Sequence, residues 1–262
     1  MTTATTVRAN GTDLYAETRG SGPALLLVPG ATGDGGQYDL LADALAATHT
    51  VVTYDRRGNS RSPAPDGQTS TSIDEQADDA AALLRALNLA PARVFGNSHG
   101  ALVALALALR HPDVVVDVAL HEPALMSVLA EPDAALAVIQ PIIGEGMAAG
   151  GPRGGAEAFL RFAAGTAYEA LSSATADRML GNAETLFERE FGAFAAWRPD
   201  AAELARLGVP VRVLAAAESA PFFAEAAAWI ARQVGTDVRT VPGGHMAFLD
   251  RPDDIAAAIV TP

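Results

Sequence analysis

A chain of 262 residues, half of them apolar, is long enough for one large core or for a core with a small inserted lid. Eighteen basic residues against 31 acidic ones give a formal charge of −13, so no basic patch is available to neutralise nucleic-acid phosphates. Cysteine is absent, which excludes disulfides, thiolate metal sites and a cysteine nucleophile.

Met1 to Asn10 is polar and lacks the apolar core of a secretion signal. Thr12 to Thr18 alternates as a strand does and follows a turn at Asn10-Gly11, which predicts an N-terminal hairpin. A second turn, Gly20-Ser21-Gly22-Pro23, leads to Ala24–Val28, a continuous apolar run of the buried-strand type that ends at Pro29-Gly30. Tyr38 to Ala47 has helical spacing and Thr50 to Tyr54 is strand-like. A polar loop rich in Arg, Ser and Pro precedes a helix from about Ile73 to Leu87.

Strand Arg93 to Phe95, helix Ala101 to Arg110 and strand Val114 to Leu120 continue the alternation. The longest apolar run, Ala101 to Leu109, is too short to cross a bilayer and reads as a helix buried on all sides. The expectation is a cytoplasmic protein with no membrane partner. From about Ala124 to Arg206 the pattern changes to helical composition punctuated by Pro and by Gly150-Gly151-Pro152 and Gly154-Gly155. Strand Val211 to Ala215, helix Phe222 to Gln233, strand Val238 to Val241 and helix Asp253 to Ile259 close the chain. The predicted class is α/β: a mostly parallel, doubly wound sheet formed by 1–123 and 207–262, with 124–206 inserted as a helical cap. Functional residues then belong at the carboxyl ends of the strands.

Arg93 to Val103 is the most informative stretch. A short strand enters Gly96-Asn97-Ser98-His99-Gly100 and an apolar helix leaves it, the sequence form of a nucleophile elbow. Gly-x-Ser-x-Gly alone is weak, since about one chain in ten of this length carries it by chance. The context carries the reading. His245 follows a strand and Pro242-Gly243-Gly244, a loop able to curl an imidazole back over the sheet edge, which makes it the candidate base for Ser98. His99 is read as a backbone donor whose side chain packs elsewhere, and His49 and His111 as structural.

Two carboxylates compete to orient the imidazole. Glu122 follows the strand ending at Leu120 and is stiffened by Pro123, and it ranks first; Glu218 follows the strand ending at Ala215 and is the alternative. The oxyanion hole is assigned to the amides of Ala31, aimed by Gly30, and His99. A phosphate-binding reading of Gly30 to Gly36 lacks its lysine. No metal or organic cofactor is indicated. Of the apolar residues in the cap, Met126, Phe159, Phe162, Tyr168, Phe187, Phe191, Phe194 and Trp197, most are assigned to cap packing. Met126 and Trp197, with Gly30 and Phe222, are assigned to the substrate pocket.

These residues together resemble the α/β-hydrolase superfamily over nearly the whole chain. Tyr54-Asp55-Arg56-Arg57-Gly58-Asn59-Ser60-Arg61-Ser62 looks like its loop after the fourth strand, and Leu207-Gly208-Val209-Pro210-Val211 like the lead into the strand before its acid. Two departures stand out. The oxyanion loop reads Pro29-Gly30 where the family usually has His-Gly, and Ala215-Ala216-Ala217-Glu218-Ser219 replaces an aspartate in a Gly-containing turn. The second weakens Glu218 and strengthens Glu122; the fungal zearalenone lactonases, a subset of the superfamily, take their acid from a glutamate after strand six. The resemblance implies ester or lactone hydrolysis on a small hydrophobic substrate. An anionic substrate would need Arg56 or Arg57 to offset the −13 charge. Carbon–carbon bond hydrolysis, perhydrolysis and cyanohydrin lyase chemistry use the same triad, and a ligand-binding homologue without catalysis is the rival from another class. The oligomeric state, a homodimer included, is open.

Overall fold

The computed structural model describes residues 1–261. β1 (Thr2–Ala9) and β2 (Thr12–Arg19) pair antiparallel across Asn10-Gly11, whose φ angles of 46° and 77° match a tight hairpin turn. There follow β3 (Ala24–Val28), α1 (Asp39–Leu45), β4 (Thr50–Tyr54) and α2 (Ile73–Ala86), the last capped by the Ser72 side chain accepting from Glu75 N–H. β5 (Ala92–Asn97), α3 (His99–Arg110) and β6 (Val115–His121) complete the first part of the sheet. The helices α4 (Pro132–Ala164), α5 (Ser173–Gly181), α6 (Phe191–Ala196) and α7 (Ala201–Leu204) come next. The chain then returns to β7 (Val211–Ala216), α8 (Pro221–Val234), β8 (Val238–Val241) and α9 (Pro252–Val260).

The strands form one sheet in the order β1-β2-β4-β3-β5-β6-β7-β8. β1 and β2 run antiparallel to their neighbours, and every other pairing is parallel. Side chains on β3 alternate between two cores. Leu26 and Val28 join the core covered by α2, α3 and α8, while Leu25 and Leu27 join the core of α1 and α9. All four are fully buried, each contributing about 1.5–3 kcal/mol by removal from water. This is why β3 is apolar throughout rather than alternating. α3 is buried from His99 to Ala108, and its alanines let it lie close against β5 and β6.

Among the described residues, the chain between β6 and β7 is helical or irregular. α4 is a single span by length, but Gly150 (φ −148°) and Gly151 (φ 62°) interrupt it. A methyl added at Gly154 would strike the Gly146 carbonyl oxygen, and residues eight apart in a straight helix lie about 12 Å apart, so the chain reverses here. Residues 132–170 are long enough, and contain an 18-residue stretch apolar enough (mean hydropathy 1.2), to cross a membrane. The reversal at Gly150-Gly151 folds the two limbs against each other.

Candidate active site

Ser98 sits between β5 and α3 with φ 56° and ψ −124°, a conformation that costs a non-glycine residue about 1–3 kcal/mol. Its neighbours make the turn feasible. A methyl at Gly96 would be driven into the Gly100 carbonyl oxygen, and one at Gly100 into the carbonyl oxygens of Val28 and Pro29. Ser98 N–H donates to the His121 carbonyl at 3.0 Å, tying the elbow to the end of β6.

Glu122 follows directly, also at positive φ (50°) and fully buried. Its N–H donates to the Leu214 carbonyl at 3.0 Å, and its Oε1 accepts from Ala216 N–H at 2.8 Å, so backbone and carboxylate are each tied to β7. Oε2 lies 3.2 Å from His245 Nδ1. Burial pushes the Glu122 carboxyl up, but the hydrogen bond and charge of His245, with the Ala216 amide, outweigh it and hold the group below its ordinary value. Glu218 lies exposed on the next turn; its N–H donates to the Gly243 carbonyl at 3.0 Å, and its carboxylate has no hydrogen bond among the described residues. The partner of His245 is therefore Glu122.

His245 is positioned from three sides. Gly243 takes φ 90° to turn the loop, Asn97 Nδ2 donates to the His245 carbonyl at 2.9 Å, and the Phe223 ring stacks on the imidazole at 3.9 Å and 17°. Ser98 and His245 face one small recess together with Gly30 and Ala31. Neither Ser98 Oγ nor His245 Nε2 makes a protein hydrogen bond among the described residues. Catalytic contacts of this kind are often long until substrate is bound. The Ala31 and His99 amides likewise have no acceptor among the described residues, leaving both free to meet an oxyanion.

An apolar cavity of about 440 Å³ opens beside Ser98. Met126 lines it, and Gly30 lines the recess. Two pocket assignments need correction. Trp197 lies outside the cavity, at the end of α6, where its indole N–H donates to Asp74 of α2 at 3.2 Å. Phe222 lies on an outer cleft beside Pro221 and Glu225, and its neighbour Phe223 lines the cavity instead, because one residue along a helix rotates a side chain by about 100°. Phe159, Phe187 and Phe191 supply the aromatic wall, and a stripe on the first limb of α4 (Leu136, Ile139, Gln140, Ile143, Met147) supplies the roof. That stripe has helical spacing in the sequence, but nothing local distinguishes a roof from a core face.

His99 also needs correction, for its ring lines the cavity. It stands edge-on to Phe191 and Phe194, and its Nδ1 is sealed without a partner. Burial, with the charges of Arg56 and His245 adding to it, lowers its pKa to about 3, so the imidazole is neutral. Arg56 and Arg57 are not available to an anionic substrate. Arg56 is bidentate with Glu190, and Arg57 pairs with Asp79 and Glu75, all but Glu75 buried.

Comparison with known proteins finds a family and similar chains. A family model described as alpha/beta hydrolase fold matches residues 23–252. An uncharacterized hydrolase of Bacillus subtilis, YraK, is 42% identical over 124 residues, 47% of this chain and 46% of its own. A zearalenone hydrolase of Bionectria ochroleuca is 35% identical over 116 residues, 43% of this chain and 44% of its own. The matched stretches thus span less than half of these relatives. The crystal structure of an alpha/beta hydrolase from Sphaerobacter thermophilus superimposes with a TM-score of 0.71 at 25% identity, covering 98% of both chains.

Proposed function

Because the chain belongs to the alpha/beta hydrolase fold family, we propose that it is a serine hydrolase cleaving a hydrophobic carboxylic ester or lactone through an acyl-enzyme on Ser98. One observation carries this reading: a strained Ser98 shares a recess with His245, whose far nitrogen meets the buried Glu122 carboxylate. Ser98 Oγ attacks the carbonyl carbon as its proton passes to His245 Nε2, and the amides of Ala31 and His99 receive the oxyanion. His245 returns the proton to the leaving alkoxide. A water, deprotonated by the same nitrogen, then releases the acid and restores Ser98. Glu122 keeps the imidazole in the required tautomer and offsets its transient charge.

The cavity supports the substrate class. Its walls are apolar apart from Ser98, His99 and Gln140, its volume suits a small ligand, and the nearby guanidinium groups are already paired. A neutral, hydrophobic acyl group fits these walls. The kinship with a zearalenone hydrolase, together with an acid that follows the sixth strand, supports including lactones.

The test is turnover of p-nitrophenyl esters of increasing acyl length and of a panel of apolar lactones, zearalenone included. The proposal expects Ser98-dependent hydrolysis that improves with acyl length until the cavity is full. Binding without turnover across both panels would overturn it.

A further inference from the structure

The loop bearing Ala31 is held from two sides: by the loop after β4, where Arg56 N–H donates to the Gly33 carbonyl at 2.8 Å, and by the inserted segment. Glu190, at the end of a π-helical turn (Thr185–Glu190), is fully buried and meets Arg56 through two parallel bonds of 2.7 and 2.9 Å. Asn59 Nδ2 donates to the same carboxylate at 3.0 Å. Arg56, itself 1% exposed, directs Nη2 to the Gly30 carbonyl at 2.9 Å, an oxygen that also accepts from Gly33 N–H at 3.1 Å.

That carbonyl belongs to the peptide whose other end is the Ala31 N–H. A trans peptide is planar, with C=O and N–H pointing in opposite directions. Fixing the Gly30 oxygen on Arg56 and the Gly33 N–H therefore aims the Ala31 N–H away from Arg56, and Ala31 lines the same recess as Ser98 and His245. The Thr32–Gly33 peptide, two further on, is also held through its carbonyl. Asn182 Nδ2 donates to the Thr32 carbonyl at 2.6 Å while its Oδ1 accepts from Ser60 N–H at 2.7 Å. Thr32 has φ 66°, a conformation a non-glycine residue keeps only under such restraint. Arg178 then binds the Asp34 carboxylate at 2.7 Å.

We propose that Arg56, clamped by Glu190, is a positioning residue for the reaction: it locks the Gly30–Ala31 peptide in the orientation that completes the oxyanion hole. Asn182 is its second anchor, so the hole is complete only while residues 178–190 are docked. The inference rests on Ser98 being an acyl-transfer nucleophile.

The test pairs Arg56→Met with Glu190→Leu, which removes both buried charges at similar volume, a replacement that is often neutral for stability. kcat and KM are measured on p-nitrophenyl hexanoate. Inhibition is measured with an alkyl trifluoromethyl ketone, which forms an oxyanion on the serine, and with the matching methyl ketone, which binds without one. The expected result is a kcat lower by about 100-fold with KM within about threefold. Affinity for the trifluoromethyl ketone falls in parallel, and that for the methyl ketone holds. Unchanged kcat and trifluoromethyl ketone affinity, or an equal loss for both ketones, overturns the proposal. Should the double variant fail to fold, Asn182→Asp decides by the same readouts, since it keeps the acceptor for Ser60 and loses the donor to Thr32. A wild-type protein that the trifluoromethyl ketone does not inhibit contradicts the nucleophile itself, a distinct failure.

Discussion

His245 Nδ1 lies 3.2 Å from Glu122 Oε2, although Glu218 is the glutamate that follows the strand where this architecture usually places its acid. The difference is one of burial and restraint. Glu122 is enclosed and doubly tied to β7, whereas Glu218 is exposed and free. Glu122→Gln keeps the volume and removes the charge, so the imidazole adopts the wrong tautomer. The expected loss in kcat is about 10⁴-fold, as for the equivalent change in serine proteases. Glu218→Gln leaves kcat within about twofold, because surface changes away from the chemistry have small effects. Steady-state kinetics on one activated ester checks both, and the reverse ranking would sink the assignment.

Acyl-chain selectivity reads the cavity. Ile143→Trp fills space under the α4 limb and should reduce kcat/KM for p-nitrophenyl octanoate by about 10-fold or more relative to the acetate. Trp197→Ala, outside the cavity, should leave that ratio unchanged. A change in selectivity at Trp197 would return that residue to the pocket.

Stability should fall in mild acid for a reason visible in two histidines. Burial lowers the pKa of His99 to about 3 and that of His121 to about 4, from the ordinary 6.5. Below pH 6.5 the unfolded chain binds these protons and the folded one does not, so the stability they contribute is present above 6.5 and lost as pH falls toward 4. Each adds about 1.4 kcal/mol per pH unit to the slope where only the unfolded form is protonated. Glu122, held low, adds a loss of the same sign at more acid pH. Urea unfolding between pH 7 and 5 should give a shallower slope for His121→Gln than for wild type; equal slopes would show that His121 is not held neutral.

The elbow glycines should tolerate no side chain. Gly100→Ala pushes a methyl onto the Val28 and Pro29 carbonyls, a clash with backbone that cannot swing aside. The expected cost is about 3 kcal/mol or more, a fall in Tm of roughly 6–12 °C for a chain of this size. Gly244→Ala, whose nearest atom would be 3.6 Å away, should change Tm little. Thermal melts of the two variants side by side make the comparison.

Much of this was legible in the residues because the signals were local. Ala24–Val28 reads as a buried strand since both of its faces meet a core, and the elbow reads from glycines that have no room for a methyl. Glu122 could be ranked first because Pro123 and the end of a strand bracket it. The pocket was less legible. Phe222 and Phe223 differ by about 100° around a helix whose phase the sequence leaves open, and Trp197 reads as a pocket aromatic although its indole binds Asp74, 123 residues away. The bond from Arg56 to Glu190 spans 134 residues, and no spacing rule connects them.

The most direct test of the central claim is the intact mass of the protein after treatment with an alkyl fluorophosphonate. The account predicts one added phosphonyl group on the wild type, mapped to Ser98, none on Ser98→Ala, and markedly slower labelling of Glu122→Gln. A wild type that stays unmodified, or one modified at another residue, would contradict it.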